Sequence, residues 1–496
     1  MSKTFYDIFR ELNSIPRPSH HEEKVADYLC RFAEEHALRY RRDAQNCVVI
    51  EKPATPGYEA AEPVVILNHM DMVCVAKDDY LRNGRKFNPL EDEILPYIET
   101  DENGQRWMKA EGTSLGADNG MGLSMALAIL ADDTLVHPAI EVLTTTNEED
   151  GMSGAEALST DFIRGRKIIN LDSEAYNEIT VGAAGACLQI GTWNLQWEKV
   201  PAGCHFYRIA IEGGLGGHSG VDINKGRCNC NKGILYYLSE GFVDEYRTLN
   251  DIYLCRLGGG TANASIASWA EAIVAVPEDK EYLMKAFEEA VVDDLRERFS
   301  VSDPGIHLVM EPAAAEERCI ADAGRIIWRL ALIPSGVIEM RDDMPGTVMT
   351  SNNIGMMTMN GDVLTVSCHT RSFDYDKQYI ESSVIHDIMF MGLADSVECL
   401  MDTRPWMESP DSPLLALTCQ TFKDVLGFEP KKVAMHFVLE AAYYVEKYPG
   451  TEIASIGPLI IEPHSTSERV NLNTADDIWS VTVELLRRLA ATKGNE

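Results

Sequence analysis

The chain has 496 residues, which is enough for two or three domains at about 150 residues per domain. Hydrophobic residues make up 45% and charged residues 25%, a composition typical of globular proteins that form a core. The 78 acidic residues outnumber the 44 Lys and Arg and give a formal net charge of −34. Nucleic acids and anionic membranes bind clustered basic residues, so this charge argues against both as partners.

Neither a membrane location nor a disulfide framework is expected. The first ten residues lack the basic segment and apolar run of a secretory signal, and the longest uncharged stretch, residues 179–197, is interrupted by Gly, Thr, Gln and Asn. The 12 cysteines include no Cys-x-x-Cys pair. We therefore expect a reduced protein of the cytoplasm.

The first third of the chain predicts alternating helices and strands. Glu22–Leu38 carries Val25, Leu29 and Phe32 at helical spacing, which indicates an amphipathic helix. Short apolar runs predict three strands, at Val64–Leu67, Ile140–Thr144 and Lys167–Leu171. Met121–Ala131 is apolar on nearly all sides and predicts a buried helix. This alternation predicts an α/β fold with a mostly parallel sheet.

The pattern changes near Cys187 and returns to α/β near the end. In the middle region, His205–Ile211 and Val363–Cys368 predict strands. Between them, a helix is predicted with Leu283, Phe287, Val291 and Leu295 on one face. Ile453–Ile461 predicts a strand near the end, followed by a helix from Thr474. We expect Asp477 to complete a capping box there, and the buried face to comprise Ile478, Val481, Leu485 and Leu489. These patterns predict an α+β domain, 186–403, inserted between two parts of an α/β domain, 1–185 and 404–496.

Polar residues follow four predicted strands. They are His69 and Asp71, Glu148 and Glu149, Asp172, and His464, with Asp118 at the start of the buried helix. Ligands of open α/β sheets bind outside the carboxyl ends of the strands, so these side chains are expected to converge. Carboxylates packed together without a cation would repel one another and titrate upward. Two divalent cations would neutralise them, and His and carboxylate ligands without thiolate suit zinc, manganese or cobalt.

Four motifs resemble those of the aminoacyl-histidine dipeptidases, a carnosinase-like family of dinuclear zinc exopeptidases. They are His69-Met-Asp71, Gly112-Thr-Ser-Leu-Gly-Ala-Asp-Asn-Gly120, Asn147-Glu-Glu-Asp-Gly-Met-Ser-Gly154 and Pro463-His-Ser465. The resemblance spans the whole chain in the same order. It implies a zinc-exopeptidase-like catalytic domain, with the inserted domain acting as a lid and dimerisation domain.

The resemblance also implies roles for the residues in these motifs. His69 and Asp172 would hold one metal, Glu149 and His464 the other, and Asp118 would bridge the two. Asp71 would accept the free ring N–H of His69 and fix its tautomer. Glu148 would be the general base, taking a proton from a water that bridges the metals and later delivering one to the leaving amine.

In the inserted domain, three further residues match the family. His218 in Gly217-His-Ser-Gly220 would stabilise the oxyanion, either from its own chain or across a dimer. Arg371 would bind the substrate's terminal carboxylate, and Asn263 would add a hydrogen bond to the substrate. The chain departs from its relatives after Asn263, where Pro and Arg are missing, and in 436–442, where the usual Gly and Cys-Gly are missing.

Together these observations predict a cytoplasmic, homodimeric metallo-dipeptidase that hydrolyses unblocked Xaa-His dipeptides. Three alternatives stay open: an N-acyl-amino-acid deacylase, a broader dipeptidase or tripeptidase, and a catalytically silent peptide-binding relative. The chain has no His-Glu-x-x-His helix, P-loop or Gly-x-Ser-x-Gly elbow, which argues against the usual zincins, P-loop hydrolases and serine hydrolases.

Overall fold

The computed structural model describes residues 3–246, 248–249 and 252–492. Its α-helices are α1 (Phe5–Asn13), α2 (Glu23–Glu35), α3 (Ala117–Ala131), α4 (Ser153–Ala157), α5 (Cys230–Phe242), α6 (Tyr282–Phe299), α7 (Ala323–Leu332), α8 (Tyr375–Met391), α9 (Pro413–Leu426), α10 (Ala441–Lys447) and α11 (Leu472–Ala491). Two short 3₁₀ turns cover Ile223–Lys225 and Glu278–Lys280.

The strands of the first half of the chain are β1 (Arg39–Arg42), β2 (Val48–Lys52), β3 (Val64–His69), β4 (Leu81–Arg82), β5 (Arg85–Lys86), β6 (Pro96–Thr100), β7 (Arg106–Ala110), β8 (Ile140–Thr145), β9 (Lys167–Asn170), β10 (Glu178–Ala183), β11 (Gly185–Asn194), β12 (Trp197–Lys199) and β13 (Cys204–Glu212). Those of the second half are β14 (Tyr253–Gly259), β15 (Ala270–Pro277), β16 (His307–Pro312), β17 (Arg318–Ile320), β18 (Gly336–Met340), β19 (Val348–Asn360), β20 (Val363–Ser372), β21 (Ser396–Thr403), β22 (Trp406–Met407), β23 (Lys431–Met435), β24 (Glu452–Ser455), β25 (Ile460–Ile461) and β26 (Arg469–Asn471).

The chain divides into two compact units. The first comprises Met1–Gly182, Met407–Ala434 and Glu440–Glu496, and the second comprises Ala183–Trp406 and Met435–Leu439. Assignment of the five-residue segment Met435–Leu439 to the second unit was not anticipated from the sequence. The predicted functional division into catalytic and lid domains stays a prediction.

The first unit is built on a mixed sheet with strand order β1-β2-β8-β3-β9-β24-β10. Strands β8, β3, β9 and β24 are parallel neighbours, and β1, β2 and β10 join antiparallel. The three predicted strands of the first third are β3, β8 and β9, each within two residues of its predicted end. The α/β class is therefore confirmed, and the parallel strands form the centre of the sheet.

Helices of the first unit bury their apolar residues as their sequences require. Helix α2 is shorter than predicted, but Val25, Leu29 and Phe32 are buried as expected. Helix α3 has no polar face, and it is buried along almost its whole length. Helices α1, α3 and α11 share one hydrophobic core with the sheet.

The prediction of one strand over Ile453–Ile461 is wrong. Strand β24 ends at Ser455, and β25 joins a separate small sheet of order β25-β26-β7-β6. Between them, Gly457 lies directly against the carbonyl of Ser173, where a side chain has no room. Pro458 follows and lacks the N–H that a sheet interior needs. The apolar run therefore leaves the large sheet after Ser455.

The predicted capping box of the last helix is also wrong. Helix α11 begins at Leu472, and the side chain of Asn471 accepts hydrogen bonds from the N–H groups of Asn473 and Thr474. Asp477 instead accepts a hydrogen bond from the Tyr176 hydroxyl at 2.6 Å. The predicted buried face is confirmed, because Ile478, Val481, Leu485 and Leu489 all lie in the core.

The second unit is built on an antiparallel sheet of order β16-β13-β15-β14-β19-β20-β11-β21, with β18 added on β19. Helices α5, α6, α7 and α8 contribute to its hydrophobic core. On α6 the predicted Leu283 is only partly buried, and the neighbouring Met284 takes the core position. Within the described residues of both units, no helix is long and apolar enough to cross a bilayer.

Candidate metal centre and catalytic site

In the first unit, chain segments that follow parallel strands bring the predicted polar residues together. His69 ends β3, Glu148 and Glu149 follow β8, and Asp172 follows β9. Asp118 enters from the first turn of α3, where its backbone is not helical (φ −80°, ψ 116°). The non-helical backbone matters because a helical Asp118 would point its carboxylate along the helix surface. Here the carboxylate instead lies among the groups at the sheet edge.

Asp118 lies at the centre of this cluster. The Nε2 atom of His69 is 3.1 Å from Asp118 Oδ1, and the Nε2 atom of His464 is 3.1 Å from Asp118 Oδ2. Each oxygen of one carboxylate thus faces the imidazole of a different segment. His464 follows β25 in the small sheet, so the small sheet, and not the large one, brings it to this edge.

A second carboxylate accompanies each imidazole. Asp172 Oδ1 is 3.3 Å from His69 Nε2, and Glu149 Oε2 is 2.8 Å from His464 Nε2. The cluster therefore has two halves that share Asp118. The two halves lie close together, since ligand atoms of His69, Asp118 and Glu149 are all within 4.8 Å of one another. Imidazole nitrogen and carboxylate oxygen without thiolate form a donor set that suits zinc, so these residues fit a divalent cation.

Asp71 is fully buried behind His69. Its Oδ1 lies 3.4 Å from His69 Nδ1 and accepts a hydrogen bond from the N–H of Glu148 at 3.1 Å. Its Oδ2 accepts from the N–H of Glu149 at 3.2 Å and from the Ser19 hydroxyl at 2.8 Å. One carboxylate thus lies beside the ring of His69 and holds the turn that carries the two glutamates.

The pKa shifts in this cluster reflect burial and an excess of negative charge. Burial raises the pKa of Glu148 well above its usual range; His69 opposes the shift, and Asp172, Glu440 and Glu149 add to it. Burial also raises the pKa of Asp172 to about 7. Hydrogen bonds to Asp118 and Glu149 raise the pKa of His464 to about 11. For Glu148 and Asp172, burial and the neighbouring carboxylates therefore outweigh the effect of His69, as crowding without a cation predicts.

Two further carboxyl groups lie near the cluster and were not predicted as site residues. Glu440 Oε2 accepts hydrogen bonds from the Thr145 hydroxyl at 3.0 Å and the Tyr444 hydroxyl at 3.3 Å, and burial raises the pKa of Glu440 to about 8. Burial also raises the pKa of Glu174 to about 8. Glu174 lies two residues after Asp172 and could have been found by the same strand-end argument. Glu440 follows no strand that the sequence predicts, so it gives no such signal.

In the second unit, the tautomer of His218 is fixed by its own loop. Its Nδ1 accepts hydrogen bonds from the N–H groups of Gly220 at 3.2 Å and Val221 at 3.3 Å. The neutral ring therefore carries its proton on Nε2, which is left as a donor. The ring edge packs against Phe437, with the ring centroids 5.9 Å apart.

Arg371 and Asn263 lie close to the His218 loop within the same unit. Arg371 is buried, and its Nη2 lies 3.4 Å from both the Ser219 hydroxyl and His369 Nδ1. Burial lowers the pKa of Arg371 to about 10, and no carboxylate among the described residues pairs with it. The N–H of Ser219 donates to the carbonyl of Ala264, which follows the half-buried Asn263. The unit thus brings a neutral imidazole donor and an uncompensated guanidinium together.

Comparison with known proteins places this chain in one family. The model of the peptidase family M20/M25/M40 matches residues 65–492. The cytosol non-specific dipeptidase of Escherichia coli (strain K12) is 34% identical over 489 residues, which cover 98% of this chain and 97% of that one. The structure of aminoacylhistidine dipeptidase from Vibrio alginolyticus superimposes with a TM-score of 0.85 at 32% identity, covering 98% of this chain and 96% of that one.

A tripeptidase from Staphylococcus aureus shares the fold, with a TM-score of 0.61 at 13% identity over 99% of each chain. The chain belongs to the peptidase family M20/M25/M40. It is therefore a metallopeptidase, and the predicted enzyme class and family resemblance are confirmed.

Proposed function

We propose that the protein is a metal-dependent dipeptidase that hydrolyses unblocked dipeptides, Xaa-His dipeptides among them. The observation that carries the proposal is Asp118, whose two oxygens each face a separate imidazole at 3.1 Å. This arrangement suits a carboxylate that links two cations. The names of two relatives with more than 30% identity, a non-specific dipeptidase and an aminoacylhistidine dipeptidase, support the substrate class.

We infer that the cluster holds two divalent cations, zinc in preference to manganese or cobalt. His69 and Asp172 would hold one ion, His464 and Glu149 the other, and Asp118 would bind both. Two bound cations would supply Lewis acidity toward the scissile carbonyl and the attacking water. Burial raises the pKa of Asp172 and Glu149 although an imidazole lies beside each of them. This supports the assignment, because a bound cation would stabilise the ionised form of both carboxylates.

Glu148 would act as the general base and then as the general acid. It takes a proton from the attacking water and passes a proton to the leaving amine as the peptide bond breaks. Its buried position supports this role, since burial raises the pKa of Glu148 well above the usual range of a glutamate. Asp71 would hold the ring of His69 and the turn of Glu148 in place through the contacts described above.

The second unit would act as the lid, and three of its residues would contact the substrate. His218 would donate its Nε2–H to the oxyanion, from its own chain or from a partner's, and Asn263 would add a hydrogen bond. Arg371 would bind the terminal carboxylate of the dipeptide. Its burial without a carboxylate partner supports this role, because a buried guanidinium otherwise lacks compensating charge.

An unblocked amino terminus fits the acidity of the first-unit cluster. Beyond the three carboxylates that would bind metal, the cluster contains Asp71, Glu148, Glu174 and Glu440. A substrate with a free ammonium group adds positive charge to such a site, whereas an N-acyl amino acid does not. This favours a dipeptidase over a deacylase, and we infer a cytoplasmic location, as the name of the E. coli relative states for that protein.

We also propose a homodimer formed through the second unit. Strand β18 is hydrogen-bonded along one edge to β19, and its Val337, Ile338 and Met340 side chains are exposed. At the start of the adjacent helix α8, Lys377 pairs with Glu339 of β18, and Tyr379 and Ile380 are exposed. An apolar edge strand beside an apolar helix surface is typical of an interface between subunits.

The test is hydrolysis of a free Xaa-His dipeptide by protein stripped of metal with a chelator, before and after zinc is restored. We expect activity to return with zinc in the wild type. In Glu148→Gln we expect a loss of about 10²–10⁴-fold in kcat with zinc still bound, because the variant keeps the shape but not the base.

Asp150→Asn is the matched control, since Asp150 is an exposed acid in the same turn that pairs with His20 at 2.8 Å. It should retain wild-type activity. Full activity of Glu148→Gln would exclude the role of Glu148. Zinc binding without turnover of any dipeptide or tripeptide would favour the deacylase, tested on N-acyl amino acids, or a silent binding protein.

A further inference from the structure

Arg17 is a charged side chain buried in the first unit, and the proposed chemistry does not use it. Only 1% of the residue is exposed. Its Nη1 donates to the carbonyls of Met70 and Asp71, both at 3.1 Å, and its Nη2 donates to the carbonyl of Gly116 at 2.6 Å. One guanidinium therefore links the segment after His69 to the segment before Asp118.

Glu468 is also buried, with 3% of the residue exposed, and it contacts the same loop before Asp118. Its Oε2 accepts hydrogen bonds from the N–H groups of Leu115 at 2.8 Å and Gly116 at 3.0 Å, and its Oε1 accepts from the N–H of Ala117 at 2.8 Å. Three consecutive backbone N–H groups thus donate hydrogen bonds to one carboxylate. At Gly116 the N–H binds the anion while the carbonyl binds the Arg17 cation.

Two glycines of the Asp118 motif make this arrangement possible. A Cβ atom on Gly116, whose φ is +68°, would lie 2.6 Å from Arg17 Nη2 and 2.5 Å from Met72 Sδ. A Cβ atom on Gly120 would lie 2.5 Å from Arg17 Nη2. Asp118 is therefore flanked on both sides by glycines that leave room for the guanidinium.

We propose that Arg17 and Glu468 are positioning residues of the dinuclear site, which together fix the loop of residues 115–117 and so the direction of the Asp118 carboxylate. The inference rests on the proposed function, because it assigns the two residues to the bridging carboxylate. Isolated buried charges are unfavourable. Here the charges of Arg17 and Glu468 are both satisfied by hydrogen bonds to backbone groups of the loops that carry His69 and Asp118. Arg17 also lies close enough to Asp71 and Glu149 to reduce their mutual repulsion.

The experiment compares Arg17→Met, Arg17→Lys and Glu468→Gln in the full chain. For each variant, zinc is titrated into chelator-treated protein to obtain the number of sites and their affinity. The melting temperature is recorded with and without zinc, and kcat and KM are measured for one dipeptide. Arg17→Lys keeps the charge but cannot join two loops with a planar fork.

We expect Arg17→Met and Glu468→Gln to lose about 10–100-fold in zinc affinity, the range for residues that hold metal ligands in place. Their zinc-induced rise in melting temperature should shrink accordingly, and kcat should fall with KM little changed. Arg17→Lys should recover part of the zinc affinity. Glu141→Gln is the matched control, because Glu141 is an equally buried carboxylate that accepts from the N–H groups of Arg164 and Gly165, both at 2.8 Å, away from the metal ligands.

The proposal is overturned if the folded variants bind two zinc ions with wild-type affinity and melt lower by the same amount with and without zinc. That result would mean a structural role alone. If Arg17→Met does not fold, the zinc titrations of Arg17→Lys and Glu468→Gln test the proposal instead. Failure of the proposed function is a separate result, in which the wild-type protein itself binds no zinc or hydrolyses no peptide.

Discussion

At the scale of single residues, the chemistry of Asp118 depends on its having two equivalent oxygens. An amide at this position would offer one oxygen and one NH₂ group, and the NH₂ group would face either His69 or His464. The neighbouring residue, Asn119, shows the other use of an amide, since its Nδ2 donates to the carbonyl of Leu171 at 2.7 Å. The two adjacent residues therefore have different functions: the carboxylate of Asp118 faces the imidazoles, and the amide of Asn119 binds the backbone of Leu171.

Glu440 leads to a prediction about pH at the same scale. Burial is the largest cause that raises its pKa, to about 8, and Asp172 and Asp71 add to the shift. The folded state then retains a proton that the unfolded chain releases near pH 4.5. The contribution of Glu440 to the free energy of unfolding therefore decreases as pH rises from about 5 to 8.

Glu440→Gln should make the metal-free protein's stability less dependent on pH over this range, because the amide does not titrate. The measurement is urea denaturation of chelator-treated wild type and variant at pH 5 and pH 8. An unchanged difference between the two pH values would show that Glu440 does not hold a proton in the folded state.

At the scale of secondary structure, helix α3 is placed by a close approach at Gly122. A Cβ atom there would collide with the carbonyl oxygen of Leu171 and lie 2.9 Å from Asn119 Oδ1. This carbonyl belongs to the backbone directly before Asp172, so it cannot shift without displacing Asp172. Gly122→Ala should therefore destabilise the protein by about 1–3 kcal/mol, the usual cost of overpacking.

The measurement for Gly122→Ala is denaturant unfolding, with Ser124→Ala in the same helix as the control. The Ser124 hydroxyl donates within its own helix, to the carbonyl of Gly120 at 2.5 Å, and its loss should cost about 0.5–1.5 kcal/mol. A Gly122→Ala variant as stable as Ser124→Ala would mean that α3 has space to shift.

Regular elements could be predicted from sequence where one periodic pattern determined them. The buried face of α11 and the strands β3, β8 and β9 follow from hydrophobic spacing alone. The run 453–461 could not be predicted, because the close approach of Gly457 to Ser173 depends on another segment. Arg17 and Glu468 were missed for the same reason: their partners are backbone groups up to 353 residues away, and no local pattern distinguishes them from surface residues.

At the scale of the whole molecule, the exposed apolar edge of β18 predicts the state of association. Ile338→Lys should convert a dimer to a monomer, because it places a charge in the middle of the proposed interface. Light scattering after size-exclusion chromatography measures the mass directly. Val301→Lys, at an exposed apolar residue beyond α6, is the control and should leave the mass unchanged. A wild-type mass of one chain would contradict the dimer.

Met435–Leu439 belongs to the second unit, whereas the chain on either side of it belongs to the first. The chain crosses between the units four times, and the short segment carries His436, whose Nε2 lies 2.7 Å from the Ser351 hydroxyl. Met435 also accepts a hydrogen bond from the N–H of Ala184 at 2.9 Å. Residues 183–406 are consequently not a self-contained cassette. A truncation that joins Gly182 to Met407 would leave these five residues without the unit they pack against. A minimal version of the enzyme would therefore require a redesigned loop between Ala434 and Glu440.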